Sequence, residues 1–267
     1  MKAGQEKAEK QERPHYLQMT FNEYGDKIPY VMKLLIERLR ELDAKNVPGI
    51  FRLSGSSVNI SRLLNEIDTL HVKDWSCYNQ IEVACALKSY LREIAKKDPL
   101  MTYELYDLIV AVGNIPDQEI VLERIKKICL DLSPSRYKTL AYLMDFLHEI
   151  GENSEVNKMT YGNLAICIAP NILASEIADK QTILLESPMQ NKVVTILIEH
   201  SPEIFGNVSF TSDDFYYSKE MNDALDSSSV GLIKERWKIR TNTSIPFAPA
   251  IFFEDHNFKR PTRKVTI

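Results

Sequence analysis

Arg52 lies in the stretch "NVPGIFRLSGSS" (residues 46–57), between the chain-turning pair Pro48-Gly49 and a run of small hydroxyl residues suited to starting a helix. A guanidinium is a planar, permanently charged fork of N–H donors, able to bind several anionic oxygens at once. Burial among Ile50, Phe51 and Leu53 does not suit such a group, and a freely solvated charge needs no turn chemistry around it. A second basic set, Lys88, Arg92 and Lys96, recurs every four residues and so forms one stripe on a helix. Like charges at that spacing cost an isolated helix roughly 0.2–0.5 kcal/mol per pair. Lys88 and Arg92 also adjoin the apolar seam of Leu87 and Leu91, so the stripe is either a solvated face or a working surface. Asn163 and Asn171 bracket the apolar run "NLAICIAPNIL". Asn163 is expected to bond backbone within the first helical turn. Asn171 is expected just past a helix end, where its carboxamide can offer a donor and an acceptor outward.

These residues need a scaffold, and the composition supplies one. A chain of 267 residues with 44% hydrophobic content can bury a substantial core. Only 9 glycines occur, and apolar residues recur at three and four rather than alternating, which predicts an all-α fold. The 33 basic and 37 acidic side chains leave a net charge of -4, so no broad basic field favours nucleic acid or a membrane surface. Cys77, Cys85, Cys129 and Cys167 are scattered without metal-ligand spacing, and three of them sit in apolar helical contexts that read as core thiols. No signal peptide or long apolar span is evident, so a cytoplasmic protein without stable membrane insertion is expected, any membrane recruitment being left to partners.

The elements that must position the candidate residues follow from periodicity and caps. Residues 1–20 read as a flexible leader. Ile28, Val31, Met32, Leu35, Leu39 and Leu42 give the first core helix one apolar face, ending before Asn46 and Pro48. Ser56 or Ser57 caps a second helix, which clamps the arginine loop at both ends. A third helix spans roughly Asn79 to Lys96, another runs from Tyr103 to Val112, and Asp117 caps the next. Ser133-Pro134 opens a long helix that Gly151 is expected to close. Thr160 caps "YGNLAICIA", which Pro170 is expected to stop, and Ser187-Pro188 is expected to open the last helix through Ile198. The bundle should end near Phe205, making 21–206 the domain. Residues 207–267 read as a largely flexible tail, with one short docking segment around "IPFAPAIFF".

Three phrases, "GIFRLSGS", "LKSYLREI" and "MTYGNLAICIAPNIL", stand in this order from Gly49 to Leu173. Together they resemble the Rho GTPase-activating, or RhoGAP, domain family, over about Asn22 to Phe205. The resemblance implies a helical bundle with a finger loop between its first two core helices. It implies binding of a Rho-family small GTPase in the GTP-bound form and acceleration of its GTP hydrolysis. By the same resemblance Arg52 matches the arginine finger, Lys88 and Arg92 the basic pair of the family's third helix, and Asn171 the asparagine after the proline. The arginine of the pair is then the brace of the finger loop, and the lysine and asparagine meet the partner's switch surface.

Phosphoryl transfer gives this assignment a physical basis, since an arginine supplied in trans is worth about 10³–10⁵ in rate and a lysine cannot reproduce its fork. GTP and Mg²⁺ come with the partner GTPase, so the chain itself needs no cofactor or metal and shows no phosphate-binding glycine-lysine loop. It is therefore expected to be an activator acting in trans and not an enzyme alone. A non-catalytic GTPase-binding module of the same fold typically lacks the finger arginine, and a plain helical scaffold predicts no GTPase contact at all. The chain departs from the family pattern at "AKKDPL", at Ala169 in place of the usual glycine, and at the opening "FNEYGDK".

Overall fold

The computed structural model describes residues 15–70, 72, 74–176, 179–206, 209–218 and 221. Among them the fold is all-α, and extended pairing is confined to an isolated parallel bridge between Ile28 and Phe215. The helices are α1 (Tyr30–Glu41), α2 (Ser57–Asp68), α3 (Gln80–Ala95), α4 (Tyr106–Gly113), α5 (Gln118–Leu130), α6 (Pro134–Glu152), α7 (Ser154–Asn157), α8 (Tyr161–Ile172), α9 (Lys180–Glu199) and α10 (Ser201–Phe205). None of the described helices is long and apolar enough to cross a membrane.

Local chemistry starts several of these helices where it should. Ser56 caps α2 by accepting from the Asn59 amide. Asn79 and Glu82 form a reciprocal capping box on α3, and Asp117 caps α5. Apolar faces then meet: α3 packs against α1, α2 and α8, while α9 lies along α4 and α8. Leu140, Leu143, Met144 and Leu147 of α6 are fully enclosed at the centre.

Several boundaries differ from expectation. Gly151 does not close α6; it lies inside the helix, and Asn153 forms the C-cap. A Cβ at Gly151 would stand 2.3 Å from the Tyr161 ring, so glycine is required for close approach and not for a cap. Pro170 does not stop α8, which continues to Ile172. Proline has a helical φ, and this near a helix end it forfeits little beyond one N–H bond. The last long helix begins at Lys180, capped by Asp179, and Ser187-Pro188 lies within it. Ser187 Oγ donates to the Ile183 carbonyl, 2.8 Å away, in the turn that Pro188 interrupts.

Both flanking segments are partly folded onto the bundle. The leader expected over 1–20 has Tyr16 buried, and the Leu17 amide donates to Asp68 Oδ1 at 3.0 Å; residues 1–14 lie outside the described residues. The tail expected from 207 includes a strap, residues 209–218, that joins the segment just before α1 through Ile28 N–H to Asp214 O (2.8 Å) and Tyr216 N–H to Ile28 O (2.9 Å). Phe210 and Phe215 pack edge-on against Tyr142, with centroids at 4.9 and 5.1 Å. The two segments touch where the Tyr16 hydroxyl meets Ser218 Oγ at 2.8 Å. The stretch "IPFAPAIFF" lies outside the described residues.

The two sequence departures flanking the bundle also meet. The Phe21 amide of "FNEYGDK" donates to Asp98 of "AKKDPL" at 2.7 Å. Buried Arg136 of α6 pairs with the same Asp98, bonds the Pro99 carbonyl, and lies over the Phe21 ring. A cation held by a carboxylate, a carbonyl and a ring face fixes the path of the loop after α3.

Candidate functional site

Three residues between α1 and α2 are left-handed, Asp43 at φ 54° just after α1, and Gly49 at φ 72° and Phe51 at φ 65° in the turn that carries Arg52. Glycine takes that conformation freely; phenylalanine takes it only when its surroundings insist. Here they do. The Phe51 ring is fully buried, edge-on to Phe146 of α6 at 6.2 Å. With Phe51 turned inward, the next side chain, Arg52, stands exposed. The Gly49 carbonyl accepts from the amides of both Arg52 (3.0 Å) and Leu53 (2.9 Å), which closes the turn beneath the guanidinium.

Helix α3 grips this turn on both sides of Arg52. Lys88 Nζ donates to the Phe51 carbonyl, and Cys85 Sγ donates to the Leu53 carbonyl at 3.5 Å. After the turn, a Cβ on Gly55 would stand 2.8 Å from Cγ and 3.1 Å from Cα of Glu82, so the chain passes directly over α3. Glu82 is itself buried and accepts from Asn59 Nδ2 at 2.6 Å, joining α3 to α2.

The basic stripe therefore divides. Lys88 is the member of the pair that bonds the loop carrying Arg52, the contact that the resemblance gave to Arg92. Arg92 is exposed and donates to Ser89 Oγ at 3.1 Å, on its own helix. Lys96 pairs with Glu93 at 2.7 Å. The physical reason is position: Lys88 is one turn nearer the loop, and its flexible stem carries the ammonium to the carbonyl.

Helix α8 supplies the remaining wall. Burial pushes the Cys167 thiol above its usual range, while the positive charges of Lys88 and Arg52 act in the opposite direction. Asn171 is not past a helix end; it lies in the last turn of α8, is 7% exposed, and donates to the Cys167 carbonyl at 2.8 Å. Asn163 bonds backbone locally, but to the Lys158 carbonyl, two residues before the Thr160 cap and not within the first turn.

Sequence reasoning missed Asn157, whose backbone carbonyl accepts from the Gly49 amide at 2.8 Å. It is fully buried, yet in the sequence it is one polar residue in the run "GENSEVNK", which reads as surface. It missed Cys85 and Glu82 as loop contacts for a similar reason, since helix periodicity gives a face but not what the face touches.

Residues 29–177 match the description of the RhoGAP domain. The chain belongs to the RhoGAP family. Among relatives, this RhoGAP chain is 32% identical over 202 residues to Bargin of Homo sapiens, covering 73% of the chain and 29% of that protein. It is 30% identical over 237 residues to Rho GTPase-activating protein 17 of Mus musculus, covering 86% of the chain and 28% of that protein. The chain thus spans less than a third of the length of these relatives. The solved structure of human Rho GTPase activating protein 15 has the same fold, with a TM-score of 0.65 at 22% identity, covering 73% of this chain and 93% of that one. The BH domain from Graf likewise gives a TM-score of 0.59 at 24% identity, covering 67% of this chain and 97% of that one.

Proposed function

We propose that this RhoGAP domain binds a Rho-family small GTPase in its GTP-bound form and accelerates γ-phosphate hydrolysis by inserting Arg52 into the partner's nucleotide site. The observation that carries the reading is the finger loop: Arg52 is exposed, while the residues on either side of it are bonded to α3. A mobile arginine binds anions, but a held one can stabilise a particular transition state. As phosphoryl transfer proceeds, charge spreads over the γ-phosphate and leaving oxygens, and a guanidinium fork donates to them without any proton transfer.

In this reading the contacts support a division of labour. Lys88 holds the loop, Arg92 stands free of the loop for contact with the partner, and Asn171 fixes the end of α8 beside the docking face. GTP, Mg²⁺ and the attacking water belong to the partner, so the domain is an activator in trans and brings no cofactor. The relatives named as Rho GTPase-activating proteins support the same reading.

Single-turnover hydrolysis by a panel of GTP-loaded small GTPases, with and without the chain, tests it. Acceleration of at least one GTPase is expected. Binding to the GTP form without acceleration indicates an interaction module, and neither binding nor acceleration contradicts the proposal.

A further inference from the structure

We infer that Asn157 is a positioning residue for Arg52, an inference that rests on the finger reading above. Its side chain is fully buried and uses both donor and acceptor ends: Nδ2 donates to the Lys45 carbonyl at 2.8 Å and to the Ile150 carbonyl at 2.7 Å, while Oδ1 accepts from the Met159 amide at 2.7 Å. Its own carbonyl holds the Gly49 amide at 2.8 Å. One residue thereby ties together the turn after α1, the last turns of α6, the start of the segment leading to α8, and the finger loop.

The path from Asn157 to Arg52 is two hydrogen bonds long. Asn157 fixes the Gly49 N–H, and the Gly49 carbonyl fixes the Arg52 N–H at 3.0 Å. Gly49 sits at φ 72°, where glycine turns freely, so its tilt is set by these bonds together with those from the Leu53 amide to the Gly49 carbonyl (2.9 Å) and from the Ile50 amide to the Val47 carbonyl (3.2 Å). Asparagine suits the place for a chemical reason: two donors and one acceptor are needed within a single planar group. Aspartate keeps the acceptor and lacks both donors; serine is too short to span the three partners.

Titration of the 267-residue chain against a GTPase that it stimulates separates positioning from stability. A merely destabilised variant contains less folded protein, which shifts the half-saturation point and leaves the plateau rate unchanged. Asn157→Asp and Asn157→Ser are expected to lower the plateau on the order of 10- to 100-fold, as misplacement of a catalytic group by about an ångström does. Half-saturation should change far less. On an Arg52→Ala background the same substitutions should add no further loss, because they act through the missing side chain. Losses that multiply with that of Arg52→Ala, or a shift of half-saturation with an unchanged plateau, would overturn the inference.

Amide exchange of the unsubstituted chain gives an answer that needs neither a folded variant nor an active partner. The Gly49 and Met159 amides should open together, with matching protection. Gly49 exchanging freely while Met159 stays protected would also overturn the inference. If no GTPase is stimulated by the unsubstituted chain, the functional reading fails, and the exchange result still decides whether the clamp exists.

Discussion

Lys88 donates its ammonium to the carbonyl of Phe51, the residue directly before Arg52. This bond places a stationary charge on α3 under the one buried aromatic that forces Arg52 outward. It also separates Lys88 from Arg92, which lies one turn further along the same helix and bonds locally to Ser89.

Replacing Lys88 with Gln should therefore loosen the finger loop. Amide exchange at residues 51–53 should quicken, stimulated hydrolysis should fall, and the fold should lose up to roughly 1.5–3 kcal/mol, the usual worth of a hydrogen bond to a charged group. Arg92→Ala should leave exchange in the loop at the unsubstituted rate while weakening complex formation. Faster loop exchange in Arg92→Ala than in Lys88→Gln would reverse the two roles.

The strap over residues 209–218, with Met221, should matter to stability. A chain ending at Gly206 loses the burial of Phe215 and Met221 and the bridge to Ile28. At about 1.5–3 kcal/mol for each large apolar side chain, its thermal midpoint should fall by several degrees or more. A chain ending at Met221 keeps these contacts and should melt close to the full chain. Equal midpoints for the two truncations would show that the strap contributes nothing.

Lys33 gives the strap a pH signature. Its ammonium is buried 4.2 Å from the Phe215 ring centroid, and burial lowers its pKa from 10.5 to about 8, opposed by the neighbouring charge of Glu37. The unfolded chain thus holds this proton more tightly than the folded one, and stability from this group rises with pH from about 8 towards 10.5. Below that window the buried charge is a full penalty. Comparing unfolding of the unsubstituted chain with Lys33→Met at pH 7 and pH 9 isolates it: the stability of the Met variant relative to the original should decline between the two. A difference independent of pH would contradict the assignment.

Much of this was legible in the sequence because it is local. The caps at Ser56, Asp117 and Thr160 act within one turn, and the apolar faces of α1 and α3 repeat at helical spacing. The start of α9 was hidden because Leu184 and Leu185 are each 74% exposed, so the apolar pattern there marks no buried face. Gly151 and Pro170 look like helix ends but serve other ends: one admits the Tyr161 ring and the other is carried within the last turn. The strap depends on Phe210, Phe215 and Met221 meeting helices far away in the chain, which periodicity does not report. Arg52 was conspicuous through its turn residues, whereas which of Lys88 and Arg92 bonds its loop depends on where two long side chains lead. Asn157 gave no signal, since a polar run between helices describes a buried clamp and a surface turn equally well.

Single-turnover GTP hydrolysis with saturating Arg52→Ala protein decides whether Arg52 is the finger. Stimulation should fall by about 10³-fold or more while binding to the GTP-loaded partner is largely kept, and Arg52→Lys should recover little of the rate. Near-normal stimulation by Arg52→Ala at saturation would contradict the finger assignment.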